Sequence, residues 1–173
     1  NATGPSGFSS PVCATPAPPV SGVVRIEDSA PEMLFSSGWR TKSSSKRSGG
    51  TSKLSSTTGA SVSATFQGVA VRLLSTTSSY YGEALVSIDG GTPVRADLYS
   101  PAFGYQVPVF EASGLSPGTH TITVTVAGTK NPLSTGRGVD VDALEIGVVG
   151  SPAVPPVISA INVAVTPTTA VVS

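Results

Sequence analysis

Aromatic side chains cluster in segments that predict surface loops. Tyr80 and Tyr81 follow a Thr-Thr-Ser-Ser run, and Phe103 and Tyr105 flank a glycine. A flat aromatic face stacks on the C–H side of a sugar ring, and a few polar groups then recognise its hydroxyls. These rings therefore predict a carbohydrate-binding surface. The alternative is that Tyr80 and Tyr81 cap one end of the fold.

Trp39, the only tryptophan, is a further candidate platform and is followed by Arg40. A large aromatic residue dominates burial in a small domain, so a core position is the alternative for Trp39. Arg40 opens a cluster that holds half of the positive charge of the chain: Arg40, Lys42, Lys46, Arg47 and Lys53. Such a cluster suits an acidic polysaccharide such as a uronate polymer, or it is a solvated loop that keeps the protein in solution.

Carboxylates near the end of the chain are candidate metal ligands. Asp140 and Asp142 share one face of a predicted strand, whereas Glu145 lies on the other face. With Glu27 and Asp28 they could supply some of the roughly six to eight oxygens that Ca²⁺ prefers. The alternative is that these carboxylates pair with Arg25 or with a turn backbone. No other cofactor is expected.

Residues for catalysis are sparse, so the sequence predicts a protein that is not an enzyme. His120 is the only histidine and has no neighbouring nucleophile motif. No pair of carboxylates is spaced as a glycosidase requires. Cys13, the only cysteine, can form no internal disulfide, and one cysteine with one histidine makes a zinc site improbable.

Composition limits the class of protein. The 173 residues carry ten basic and ten acidic side chains, and only 12% of residues are charged, which argues against nucleic acid as a partner. No apolar run reaches the length of a membrane span. The chain is rich in Ser, Thr, Gly and Pro, so an all-β domain is expected, typical of a secreted or cell-surface protein. The start at Asn1, with neither Met nor leader, suggests a removed signal peptide or a longer polypeptide.

Short runs with alternating apolar residues predict an antiparallel β-sandwich of about nine strands. The clearest run is Thr119 to Val126, in which Ile122, Val124 and Val126 point to the core. A tight reversal is predicted at Gly114 to Gly118, and a hairpin at Asp89 to Gly91. The predicted strands are Val23–Glu27, Ser52–Ser56, Ser61–Phe66, Ala70–Ser75, Ala84–Ile88, Val94–Leu98, Gln106–Glu111, Thr119–Val126 and Val139–Ile146.

Both ends of the chain differ from this pattern. Residues 1–22 are Pro-rich and predict an extended arm or linker, residues 23–146 form the sandwich, and residues 147–173 contain a linker and a last strand. An unpaired strand must pair with its own sheet, a further domain or another copy of the chain. A homopolymer, a surface filament assembled head to tail, is therefore a second hypothesis. The apolar residues of the donor strand would be Val157, Ile158, Ile161, Val163 and Val165.

Seven ordered segments of the sequence stand out: Gly38-Trp39, Gly49-Gly50, Gly59 to Ser63, Gly82 to Gly90, Asp97 to Ser100, Gly114 to His120 and Val141 to Ile146. Together they resemble the jelly-roll β-sandwich modules appended to secreted bacterial glycoside hydrolases and other surface proteins, many of which are treated as carbohydrate-binding modules. The tail from Val157 resembles the opening strand of a fibronectin type III domain. The resemblance implies a jelly roll and a polysaccharide partner held by loop aromatics, but it does not identify the sugar.

Overall fold

The structure, a computed structural model, describes residues 19–150. Within this range the chain forms ten β-strands and one 3₁₀ turn, Ser48–Gly50. No helix in the described part is long and apolar enough to cross a membrane. The strands are β1 (Gly22–Glu27), β2 (Met33–Phe35), β3 (Arg40–Ser43), β4 (Thr51–Ser55), β5 (Ser61–Thr77), β6 (Glu83–Ile88), β7 (Val94–Asp97), β8 (Gly104–Val126), β9 (Val139–Val141) and β10 (Ala143–Val148).

Two antiparallel sheets form a sandwich. The larger sheet has seven strands in the order β1-β10-β5-β8-β6-β7, with β2 also paired to β5, and the smaller sheet has the order β3-β4-β9. Every strand pair is antiparallel. The predicted all-β antiparallel sandwich is confirmed.

The core lies where the alternating apolar residues of the two sheets meet. Ile122, Val124 and Val126 are at most 2% exposed, whereas Thr121 and Thr123, which alternate with them, are half-buried. The period-two pattern that separates one dry face from one wet face therefore holds on this strand. The hairpin of β6 and β7 is also as predicted, and Asp89 and Gly90 adopt the positive φ angles that its turn requires.

The predicted reversal at Gly114 to Gly118 is wrong, and β8 continues through it. Gly68 pairs with Gly118 and Ala70 pairs with Ser113, so residues 114–117 loop out as a bulge in one long strand. Gly and Pro residues favour turns, but they also accommodate bulges, and the sequence alone does not separate the two. For the same reason the strands predicted before and after each break are continuous in β5 and in β8.

Other boundaries also differ from the prediction. The short strands β2 and β3 were not expected, since each has too few residues to show a period. The predicted strand Val139–Ile146 is two strands: β9 pairs with β4 in the small sheet, and β10 pairs with β1 and β5 in the large one. The chain changes sheets at Asp142, whose N–H donates to the Leu74 carbonyl at 3.0 Å.

The predicted arms fall mostly outside residues 19–150. Cys13 and the donor strand with Val157, Ile158, Ile161, Val163 and Val165 lie beyond the described residues. The filament assembled through that strand, and with it the homopolymer, stays a prediction.

Candidate functional site

Three aromatic rings form a row at one end of the sandwich, and we call Tyr80, Phe103 and Tyr105 the aromatic platform. Tyr80 follows β5, and the other two rings lie at the start of β8. The ring centroids of Phe103 lie 6.4 Å from Tyr80 and 6.0 Å from Tyr105. Tyr80 is 61% exposed and Phe103 58% exposed. Two large rings are thus left in solvent in contact range of each other.

Tyr81 differs from its neighbour, because it is buried at 7% exposure. Its backbone bridges to Gly138, and burial together with the nearby Asp140 charge raises the pKa of its phenol. The structure therefore places Tyr81 in the wall of the site, whereas the sequence predicted an exposed ring beside Tyr80.

Trp39 does not join the aromatic platform. Its ring packs edge-on against Phe35, with centroids 5.3 Å apart, and its Nε1–H donates to the Ser61 carbonyl at 3.1 Å. Trp39 is half-buried against the hydrophobic core, which is the alternative that the sequence left open. Its assignment as a ligand-binding residue finds no geometric support here.

A cavity of about 340 Å³ opens beside the aromatic platform. This volume is at the small end of the range of about 300–1,000 Å³ for small-molecule sites. Tyr80 and Phe103 stand at its rim, and the side chains of Arg40, Lys42 and Arg137 add positive charge. The lining residues are Arg40, Lys42, Arg47, Leu54, Ser56, Ser78, Tyr80, Tyr81, Phe103, Gly136, Arg137 and Gly138.

The cation cluster seen in the sequence is divided by the fold. Arg40 and Lys42 line the cavity, whereas Lys53 lies on the opposite face of the small sheet and donates to Thr41 Oγ1 at 2.7 Å. The ammonium of Lys46 lies 5.5 Å from the centroid of the Tyr105 ring, within cation–π range. These four cations, expected from the sequence to share one loop, therefore lie in three separate environments.

Arg47, the remaining cation of that cluster, is buried beneath the cavity. Its Nη1 lies 2.9 and 3.0 Å from the two oxygens of Asp140, and both side chains are almost fully buried. Ser52 Oγ donates to the same carboxylate at 2.7 Å, and the Thr76 N–H donates at 3.1 Å. Burial alone would lower the pKa of Arg47, but the Asp140 charge raises it above its ordinary value. This network fixes the floor of the site.

The predicted calcium ligands do not converge as a group. Asp140 is committed to Arg47, and Glu145 forms an ion pair with Arg25 at 2.5 Å on the outer face. Asp142 accepts a hydrogen bond from the Ser48 N–H at 3.0 Å. Within residues 19–150 no three acidic, His or Cys side chains are arranged to hold a metal ion.

Among the residues that the structure describes, three buried carboxylate oxygens nevertheless lack a hydrogen-bond partner, and they belong to Glu27, Asp28 and Asp142. Ser48 connects two of these groups, since its hydroxyl donates to Glu27 at 2.9 Å and its N–H donates to Asp142. Such oxygens are satisfied by an ordered water, by protonation or by a cation. Calcium binding at Asp142 stays a prediction, and Glu27 and Asp28 would be the further ligands because each also has a partnerless oxygen.

His120 lies away from the cavity and connects two loops. Its Nδ1 is 2.6 Å from an oxygen of Asp89, and its Nε2 is 2.7 Å from the Ser116 carbonyl. Hydrogen bonding to Ser116, and then to Asp89, raises the pKa of His120 because both acceptors favour the charged ring. Asp89 follows the end of β6, whereas Tyr81 precedes its start, so this pair and the cavity lie at opposite ends of the strand.

The loop of residues 127–138, which sequence analysis did not single out, supports the platform. Ser134 is buried, and its hydroxyl donates to the Tyr81 carbonyl at 2.6 Å. The Thr135 N–H donates to the Ser79 carbonyl at 2.8 Å. Gly136 lies so close to Tyr80 that an added Cβ would be 2.2 Å from the Tyr80 carbonyl oxygen. The only sequence signal for this contact is the Gly-Arg-Gly run that places Arg137 between two small residues.

Replacing Gly136 by alanine should therefore displace the backbone of Tyr80. We expect a loss of about 1–3 kcal/mol in the free energy of unfolding, as overpacking of a tight contact typically costs. The amide resonances of Ser79, Tyr80 and Tyr81 should shift in NMR spectra. Gly22→Ala is a matched control, because its added Cβ would meet Val148 at an ordinary 3.6 Å. Unchanged spectra for Gly136→Ala would contradict the close approach.

Comparisons with known proteins agree with this architecture. No family model matches the chain. The chain is 33% identical over 109 residues to an A type blood N-acetyl-alpha-D-galactosamine deacetylase of Flavonifractor plautii, a match that spans 63% of this chain but only 14% of that protein. The chain thus corresponds to a small part of the length of this relative.

Solved structures with the same fold come from enzymes named for carbohydrates. A Paenibacillus xanthan lyase matches 83% of this chain and 14% of its own at a TM-score of 0.55 and 17% identity. A two-domain esterase active on acetylated mannans matches 84% of this chain and 41% of its own at a TM-score of 0.58 and 14% identity. An exo-beta-1,3-galactanase from Phanerochaete chrysosporium matches 72% of this chain and 29% of its own at a TM-score of 0.51 and 20% identity. At these identities the likeness establishes the fold.

Proposed function

We propose that this chain is a non-catalytic carbohydrate-binding module of the jelly-roll type, acting outside the cell, which holds a polysaccharide on the aromatic platform and in the adjoining cavity. The observation that carries the proposal is the exposure of Tyr80 and Phe103 at the cavity rim. Large aromatic rings are normally buried in a small sandwich, and rings that stay in solvent beside a cavity suit a ligand with an apolar face.

The surroundings of the platform suit binding more than catalysis. In the described part of the chain, the cavity lining contains no Asp, Glu, His or Cys. Asp140, the nearest carboxylate of the floor, is held by Arg47, and His120 is engaged at the other end of β6. General acid–base chemistry most often uses an imidazole or a carboxyl within reach of the substrate, and this lining offers neither.

The comparisons support the substrate class. The relative and the structural neighbours are named as enzymes that act on carbohydrates, and the chain matches less than half of each of them. A domain of this size within such enzymes fits an appended module that keeps the polymer near a catalytic partner.

The first test is binding to a panel of polysaccharides by affinity electrophoresis and titration calorimetry. Tyr80→Ala and Phe103→Ala should each weaken binding about tenfold, because one stacked ring contributes about 1–1.5 kcal/mol. Val94→Ala is a matched control, since Val94 is 56% exposed on the edge strand β7 and lies outside the cavity lining. Retention of full affinity by both aromatic variants, or no binding to any glycan, would refute the proposal.

A further inference from the structure

We propose that the sugar bound at this site carries a carboxylate, as in a uronate unit of an acidic polysaccharide, and that Arg40, Lys42 and Arg137 receive it. These three side chains are called the cationic set below. The inference rests on the proposed function and adds the chemical class of the ligand. It follows from the placement of the three cations, from their lack of an acidic partner within residues 19–150, and from the backbone contacts that hold the loop of Arg137.

The placement of two members follows from strand register. In the small sheet Arg40 pairs with Leu54 and Lys42 pairs with Ser52, whereas Thr41 pairs with Lys53. Side chains alternate along a strand, so Arg40 and Lys42 share the face of Leu54, which lines the cavity. Lys53 points to the other face. The small sheet therefore places the charges of Arg40 and Lys42 toward the cavity and the charge of Lys53 away from it.

Two arginines of the cavity differ from the other four arginines in the described part of the chain, because they form no ion pair. Arg25, Arg47, Arg72 and Arg95 each form an ion pair, with Glu145, Asp140, Glu111 and Glu83 respectively. Arg40 and Arg137 form no ion pair within residues 19–150, and both line the cavity. Lys42, the third member of the set, likewise has no acidic partner in the described part. The lining itself includes no carboxylate, so its positive charge is unbalanced.

The third member is held by a rigid loop. The Gly82 N–H donates to the Gly138 carbonyl at 2.7 Å, next to Arg137. A Cβ on Gly82 would lie 2.6 Å from the Arg137 Cα, so the two segments are in direct backbone contact. Ser134 and Thr135 fix the same loop on the other side. A cation on a fixed backbone binds with less loss of conformational freedom.

The geometry favours a carboxylate on a sugar ring over an isolated anion. Arg40 and Arg137 can each present a planar fork that matches a carboxylate. Tyr80 and Phe103, at the rim of the same cavity, provide the apolar face that a pyranose ring needs. Tyr105 is already covered by Lys46, so the two exposed rings are the ones left for the sugar. One unit can thus stack on a ring and direct its carboxylate to the cationic set.

The experiment compares polygalacturonate with the same polymer after chemical reduction of its carboxyl groups, using the full chain in both cases. We expect the acid polymer to bind at least about tenfold more tightly, with affinity that falls as salt is raised, because exposed charges are screened. Arg40→Ala, Lys42→Ala and Arg137→Gln should each weaken binding of the acid polymer about three- to tenfold. None should change binding of the reduced polymer. Lys53→Ala is the matched control and should change neither.

The outcomes separate this inference from the proposed function. Equal binding of acid and reduced polymers that still depends on Tyr80 would overturn the inference and leave the module a neutral glycan binder. Tighter binding to a sulfated polysaccharide that has no uronate units than to the uronate polymer would overturn the choice of carboxylate. Absence of binding to any glycan would refute the proposed function itself. Circular dichroism and thermal midpoints of each variant establish that a lost affinity is not a lost fold.

Discussion

Replacing Asp140 by alanine should lower the free energy of unfolding by about 3–5 kcal/mol, the cost of removing one partner from a buried ion pair. The substitution leaves the Arg47 guanidinium in a site where its side chain is only 6% exposed. It also removes the acceptor for Ser52 Oγ and for the Thr76 N–H. Urea denaturation followed by tryptophan fluorescence measures the loss through the single Trp39.

Two variants establish that burial is the cause. Glu111→Ala removes one partner of the Arg72–Glu111 pair, whose side chains are about half exposed, and should leave the free energy of unfolding nearly unchanged, because solvent screens an exposed pair. The double variant Arg47→Met with Asp140→Leu removes both buried charges and should recover the part of the lost stability that comes from the unpaired Arg47 charge, while Ser52 Oγ and the Thr76 N–H still lack their acceptor. A single Asp140→Ala variant as stable as Glu111→Ala would show that the pair is not buried in solution.

The same network connects the fold to the site. Arg47 lies beneath the cavity and its guanidinium is 5.8 Å from the centroid of the Tyr105 ring. Asp140 lies on β9, which joins the small sheet immediately before the chain crosses to the large one. Arg47, which the sequence suggested as a surface cation, thus stabilises the fold. The cations that can meet a ligand in the cavity are those on β3 and in the loop of residues 127–138.

The fold class was predictable because its signal is local. Alternation in Thr119 to Val126 follows directly from the two-residue period of a strand, and Asp89 to Gly91 shows the residue types that a hairpin turn requires. The bulge at Gly114 to Gly118 was not predictable, since the residue types that end a strand also interrupt one. Only the pairing of Gly68 with Gly118 separates these outcomes, and that pairing is long-range.

The exposure of aromatic rings in the loops was predictable, whereas the set of residues that line the cavity was not. Exposed loop aromatics were expected, and Tyr80 and Phe103 are exposed. Tyr81 differs from Tyr80 by one position, and its burial depends on a bridge to Gly138 that lies far away in the chain. For Arg137, the sequence indicated a place in the cavity only through the glycines on either side of it. Contacts between loops that are distant in sequence decide which side chains share a cavity, and one sequence does not show them.

The carboxyl of Asp142 should make the protein less stable as the pH rises from about 4 to about 6. Burial, and then the charge of Asp140, raise the pKa of Asp142 from about 3.8 to about 6 in the folded chain. The folded state therefore holds a proton that the unfolded state releases near pH 4, so the stabilisation is complete below pH 4 and is lost as the pH passes 6. Two pKa units correspond to about 3 kcal/mol.

Asp142→Asn tests this by removing the charge while keeping an oxygen that can accept the hydrogen bond from the Ser48 N–H. In buffers with EDTA the variant should equal the wild type near pH 4 and exceed it by up to about 3 kcal/mol at pH 7.5, because its neutral amide avoids the cost of burying a charge and then the repulsion from Asp140 and Glu27. Glu111→Gln, on the exposed face, is the matched control for a change from carboxyl to amide. Added Ca²⁺ should stabilise the wild type selectively only if the partnerless oxygens of Glu27, Asp28 and Asp142 take a cation. A variant that is less stable than the wild type at pH 7.5 in EDTA would show that the ionised carboxylate is favoured in the fold.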